Sequence, residues 1–381
     1  KGTAQIMDRL SLSQVERWFE EGVNLLRQNP DGGLAFFKIE SAHSEAVLEA
    51  LSSGVEFDRI KPVMEMYCRG LAGAEIKLAA SEDLVSKGIG WVSSESPSTE
   101  GSTVFVPMLV DRYPSKDENF GWFKVVSTHQ VAHLEFGSFF FEFEEPSTIF
   151  QDRRAELEQN KIEKERPEGE SQEPVEGEGL ERAWITDMQR FFNLFEDRKL
   201  SLDIFTVVED GRLDFRVKHE YPGIRTAYSG VQADSHSGRP EIETLPVREA
   251  LVEFLVRLSL QQYDSIPAPS EYVEQAKQIT DIARRVLDAG ATVQDTAEAT
   301  LRIYAIIAAI PNEEVPPEEW EDVDTGEDQE EEYTDPEEME QLLQQLAEGM
   351  EMELRSDGES DYESSEEVEY RGDFKPELVQ L

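Results

Sequence analysis

The sequence changes character at Pro311. Before it, apolar residues recur at helical and strand intervals; after it, the text turns acidic, with 28 acidic and three basic side chains in residues 312–381. That division limits what the chain can fold into. Its 381 residues, 39% of them hydrophobic, can fill a sizeable core, but the core must be drawn from about the first 310. The whole chain carries 36 Lys and Arg against 82 Asp and Glu, a net charge of -46, and about half of the excess lies in the acidic run. No stretch concentrates Lys and Arg, so nucleic acid is excluded as an expected partner.

Residues 11–80 place Val15, Trp18, Phe19, Val23, Leu25, Leu26, Ala46, Val47, Leu48, Leu51, Ile60, Val63, Met64 and Tyr67 at helical spacing. Three or four helices are expected there, broken at Asn29-Pro30-Asp31-Gly32-Gly33 and at Ser52-Ser53-Gly54. Thr103 to Val110 is β-branched and apolar, a short strand whose Pro107 points to a sheet edge. Residues 154–182 are charged and punctuated by Gly and Pro, too poor in apolar surface to repay ordering. Three further helices are expected at about 246–263, 270–288 and 292–310. Within the acidic run, Pro336 followed by Met339, Leu342, Leu343, Leu346 and Met350 marks a short helix at about 336–352 that folds on a partner or stands solvated. The last residues, from Phe374, begin another amphipathic pattern, and a further domain is expected beyond them.

The expected fold is therefore mainly α with a small β component. It divides into an N-terminal helical region (1–100), a helical core (101–310) with a flexible acidic insertion at about 154–182, and an acidic, disordered linker or tail (311–381).

Chemistry concentrates in Thr128-His129-Gln130-Val131-Ala132-His133, where two of the five histidines stand four residues apart in an apolar helical pattern. Positions i and i+4 share a helix face, so one metal ion could lie between the imidazoles. The stretch reads as the zincin motif His-Glu-x-x-His with Gln130 at the position of the general-base glutamate. A neutral amide takes no proton from metal-bound water, and Glu135 is the nearest substitute. A catalytic zinc site needs a third protein ligand. Glu209, a carboxylate ending an apolar run, is the expected one, with Asp210 and Arg212 orienting the ligands from behind. Equally, such a helix can simply bury two imidazoles against backbone carbonyls, and Glu209 and Asp210 can pair with Arg212 or Arg216.

The single cysteine, Cys68, rules out an internal disulfide and fits a reducing cytoplasm. No apolar run reaches the roughly 18–20 residues that cross a bilayer. A Gly-rich phosphate loop, a Gly-x-Ser-x-Gly elbow and a Cys cluster are absent from the sequence, which argues against nucleotide hydrolysis, serine-hydrolase chemistry and structural zinc.

The run His129 to Phe139, together with Phe205-Thr206-Val207-Val208-Glu209-Asp210-Gly211-Arg212 and Tyr221-Pro222-Gly223-Ile224, resembles the nitric oxide reductase activation protein (NorD-like) family. Phe36-Phe37-Lys38-Ile39-Glu40-Ser41 and Gly88-Ile89-Gly90-Trp91-Val92 add to the resemblance, which spans about Ser11 to Pro311. It implies a cytoplasmic accessory protein with a degenerate, zincin-like metallopeptidase region and an acidic linker. Such a protein works with a MoxR-type AAA+ ATPase to activate or remodel a client metalloenzyme. CobT-type cobaltochelatase subunits and CbbO-type rubisco-activase components share that plan. The family's C-terminal von Willebrand factor A domain has no counterpart here, since its Asp-x-Ser-x-Ser motif is missing. Two functions are thus expected: a non-catalytic scaffold that retains a Zn2+ site, or a divergent zinc metallopeptidase using His129, His133 and Glu209.

Overall fold

The computed structural model describes residues 10, 12–73, 75–81, 98–100, 102–165, 185–260, 265–326, 336–347 and 361–372. Among the described residues helices dominate and three small sheets accompany them. The first three helices, α1 (Leu12–Gln28), α2 (Pro30–Phe37) and α3 (Ala42–Leu51), share a small core of Leu10, Trp18, Phe36 and Leu48. Asn29 is the break between the first two: its side chain accepts from the Gly32 amide and Pro30 starts α2, so the expected Gly32-Gly33 breakers are themselves helical.

Strand β1 (Val55–Glu56) leads into α4 (Phe57–Ala72), whose Met64 and Cys68 enter a second, much larger core. Burial drives the Cys68 thiol up to about 12. Then come β2 (Lys77–Ala80), β3 (Ser98–Glu100), β4 (Thr103–Val106) and β5 (Leu109–Val110). β4 lies between β2, parallel to it, and β3, antiparallel. The expected strand is thus split at Pro107: β5 pairs with β1 in a two-stranded sheet, and β4 is central in its own. Pro107 lies past its last paired residue, Val106, where the missing N–H costs no ladder bond. This sheet crosses the expected boundary at residue 100, so α4 and β2 belong with the larger core and not with the N-terminal helices.

The helix that carries the histidines, α5 (Lys116–Glu135), is capped by Ser115, which accepts from the Glu118 amide. From Trp122 to His133 every residue except Lys124 is buried, on all faces, which makes α5 a core helix rather than an amphipathic one. Next is α6 (Arg154–Glu165), at the start of the expected flexible insertion. Its charge is anchored, not solvated: buried Arg154 donates to Glu298 at 3.0 Å, Leu157 is buried, and Arg190 grips Glu158 with two nitrogens. Residues 166–182, the rest of that expected insertion, lie outside the described residues, as does Gly88–Val92.

Helices α7 (Asp187–Phe192), α8 (Arg198–Glu220), α9 (Arg225–Ser237), α10 (Val247–Ser259), α11 (Val273–Val286) and α12 (Val293–Ala308) complete the body; the last three match the helices expected from spacing. α8 packs on α5, α10 and α12. Gly211 lets α8 approach α10 closely, since a Cβ there would lie 3.1 Å from the Ser259 Cβ.

Three stretches of the acidic run lie among the described residues. β6 (Ser265–Pro269) pairs antiparallel with β7 (Trp320–Asp324), which buries Val323 and turns Glu321, Asp322 and Asp324 outward. α13 (Pro336–Ala347) buries Met339 and Leu343 against α12 and α6, so its apolar stripe finds its partner within the chain; residues 348–352 of the expected helix lie outside the described residues. Asp361–Gly372 returns to the main core with Tyr362, Val368, Tyr370 and Arg371 buried. These residues depart from the expected disordered tail because acid content masks a few well-placed apolar and aromatic side chains.

Candidate metal centre

His129 and His133 lie one turn apart on α5, with ring centroids 5.2 Å apart and planes at 89°. A Schellman-type ending closes the helix just past them. Gly137 takes φ +80° and the Ser138 amide reaches back to the His133 carbonyl at 2.9 Å. That turn carries the Ser138 hydroxyl under His133, 3.1 Å from its Nδ1.

α8 presents its own i, i+4 pair, Asp210 and Asp214, to the two imidazoles. Asp210 Oδ1 lies 3.4 Å from His129 Nε2 and 3.7 Å from His133 Nε2. Asp214 Oδ1 lies 2.9 Å from His129 Nδ1 and accepts from the Tyr228 hydroxyl at 2.8 Å. The donor atoms of His129, His133 and Asp210 all lie within 4.8 Å of one another, and all three residues are buried.

The hydrogen bonds assign the tautomers. A carboxylate only accepts, so the Ser138 hydroxyl spends its proton on Glu209 and must accept from His133 Nδ1–H. Asp214 likewise takes the Nδ1–H of His129. Both Nε2 atoms therefore face Asp210, and neither the buried His129 Nε2 nor Asp210 Oδ1 makes a hydrogen bond of good geometry. Two imidazole nitrogens, each held from behind, and one carboxylate oxygen are the donor set of a zinc site with one position left over. The residues fit a divalent ion.

Electrostatics agree. Burial would lower the His129 imidazole, but the Asp210 and Asp214 carboxylates beside it raise it to about 9. Burial and the charge of His129 push His133 well below its usual value. Burial raises the Asp210 carboxyl against the pull of His129 and Arg371. Asp214 runs the other way: Arg371 and His129 overcome burial and hold it far down.

No family model, curated protein or solved structure matches this chain.

The third donor is Asp210, in place of the expected Glu209. Glu209 points elsewhere: Arg212 donates to both of its oxygens at 2.6 and 2.9 Å, Thr296 on α12 donates at 2.7 Å, and Ser138 donates as well. Burial disfavours its charge, yet Arg212 and these hydrogen bonds lower its carboxyl. It therefore takes the orienting part expected of Asp210, acting on His133 through Ser138, while Arg212 fastens Glu209 and the Ala291 and Phe136 carbonyls. Adjacent residues stand about 100° apart on a helix, so only one of the two can face α5.

Gln130 is held at both ends. Its Oε1 accepts from Thr99 at 2.8 Å and its Nε2 donates to the Arg371 carbonyl. Glu135, the expected substitute base, is not brought into the cluster; its carboxylate accepts from the Tyr221 hydroxyl.

Sequence reasoning missed Ser138, Asp214, Tyr228, Tyr370 and Arg371. The spacing of Asp210 and Asp214, four apart in an apolar helix opposite a four-apart histidine pair, was the available signal for one of them. Nothing in the local sequence marks Tyr370-Arg371.

Proposed function

We propose that this chain is a non-catalytic accessory protein whose body retains a degenerate zincin-like centre. There His129, His133 and Asp210 hold a Zn2+ ion. The observation that carries the non-catalytic reading is the Gln130 amide: it stands at the base position and is committed on both sides to Thr99 and Arg371. When bound, the ion would supply a Lewis-acidic centre that ties α5 to α8. Asp214 and Ser138 keep the imidazole nitrogens aimed. The peptidase alternative loses Glu209 as ligand, and neither Gln130 nor Glu135 supplies it with a base.

The resemblance supplies the wider role: a cytoplasmic partner of a MoxR-type AAA+ ATPase that activates or remodels a client metalloenzyme. No helix among the described residues is long and apolar enough to cross a membrane, in keeping with that role.

Three measurements test the reading. Purified chain should carry one zinc per molecule, lost in the His129→Ala and His133→Ala variants. The zinc-loaded chain should leave a mixed peptide substrate uncut; cleavage that disappears in His133→Ala would overturn the non-catalytic assignment. A pull-down from cytoplasmic extract with ATP should recover an AAA+ ATPase, and its repeated absence would remove the accessory role.

A further inference from the structure

The returning segment Asp361–Gly372 is fastened along α8 at points that track the helix. Asp203 Oδ2 accepts from the Tyr362 hydroxyl at 2.7 Å and from the Ser365 amide at 3.0 Å. Eleven residues along α8, about 16 Å at 1.5 Å per residue, Asp214 Oδ2 accepts from Arg371 Nη2 at 2.7 Å, from Arg371 Nε at 3.1 Å and from the Tyr370 hydroxyl. The segment therefore runs parallel to α8 as an extended strap. Between these ends Arg239 donates to the Glu366 carbonyl at 2.6 Å, and Arg112 pairs with Glu369.

The strap's last turn lies on the metal centre. Tyr370 packs edge-on against His129 with ring centroids 5.7 Å apart, and the Gln130 side chain donates to the Arg371 carbonyl. Arg371, almost fully buried, also donates to the Ser259 hydroxyl at 2.9 Å. Asp214 is the shared element. One of its oxygens orients His129 while the other holds Tyr370 and Arg371, so the strap and a metal ligand depend on a single carboxylate.

We propose that Asp361–Gly372 is a gate on the metal centre: an ion enters or leaves only when Tyr370 and Arg371 lift from Asp214. This rests on the reading that His129, His133 and Asp210 hold a divalent ion. The docked strap covers the His129 side of the centre and keeps Asp214 in the position that aims His129 Nε2. The gate is stiff because lifting it takes a buried guanidinium off its carboxylate, and it is reversible because no covalent bond is involved.

Release of Zn2+ from the loaded full-length chain to a chromophoric chelator tests the gate, with backbone amide exchange of residues 361–372 measured alongside. Two variants loosen the strap at opposite ends: Arg371→Ala beside the centre, and Tyr362→Ala at the distant Asp203 anchor. Both should raise amide exchange in the strap and speed zinc release by about tenfold or more, in proportion to strap opening. Zinc bound only by the loosened variants would support the gate equally. Faster strap exchange with zinc release unchanged overturns the gate and leaves the metal centre standing. Failure of wild type and both variants to bind zinc overturns the metal centre and the gate together.

Discussion

Glu209 and Asp210 are neighbours in the chain and opposites in the structure. Glu209 is a buried carboxylate with a full set of donors, and its charge is balanced by Arg212. Replacing it by Gln leaves the Arg212 guanidinium buried without a counter-charge, which should cost about 3–5 kcal/mol in urea unfolding. Asp210 keeps an oxygen with no hydrogen bond of good geometry. Asp210→Asn should therefore abolish zinc binding while the metal-free protein stays within about 1 kcal/mol of wild type, because Asp214 still holds His129. The reverse pattern, a lost fold in Asp210→Asn and lost zinc in Glu209→Gln, would reassign the ligand. The sequence makes the histidine pair legible because helical spacing alone puts both rings on one face. It does not make the third ligand legible, because whether Glu209 or Asp210 faces α5 depends on how α8 is rotated in its packing.

At the scale of elements, helices with strong 3.6-residue spacing lie close to their expected bounds, and the departures fall where charge reads as solvation. α6 is the clearest case, held by Arg154 and Glu298, and Arg302 donates to Glu298 as well, at 2.7 Å. Asp295 makes the related point at the start of α12. It closes a capping box with Thr292 and also accepts from the Ser147 hydroxyl, the Thr148 amide and hydroxyl, and the Ile149 amide. Burial opposes its charge, but these hydrogen bonds lower its carboxyl below the usual value. A depressed carboxylate contributes stability above its unfolded pKa of about 3.9, and that stability is lost as pH falls through the lower folded value. Asp295→Asn should thus cost about 1–2 kcal/mol at pH 7 and flatten the acid limb of the stability curve, read by urea unfolding from neutral pH down to about 3. An equally steep limb in the variant would show that other carboxylates carry it.

For the molecule as a whole, a net charge of -46 means that the compact state holds itself together against its own repulsion. Raising salt from about 10 mM to about 300 mM shortens the screening length severalfold and should raise the melting temperature of the metal-free chain; a fall would mean that buried and surface ion pairs outweigh the long-range repulsion. Composition also explains why the strap is unreadable from sequence. Val368, Tyr370 and Arg371 sit among Glu366, Glu367 and Glu369, and no local pattern reports that three of these six residues belong in the core.

The strap also sets an order of events during synthesis. Gln130 and Arg371, which hydrogen-bond in the folded protein, are 241 residues apart in the chain. At roughly 5–20 residues per second, a ribosome that has just made the histidine helix needs on the order of ten to fifty seconds more before the arginine exists. Throughout that interval the nascent chain carries both histidines and then both aspartates with nothing laid across them. For the proposed gate, that interval would be the window in which an ion reaches the site, and the arrival of the strap's contacts would close it.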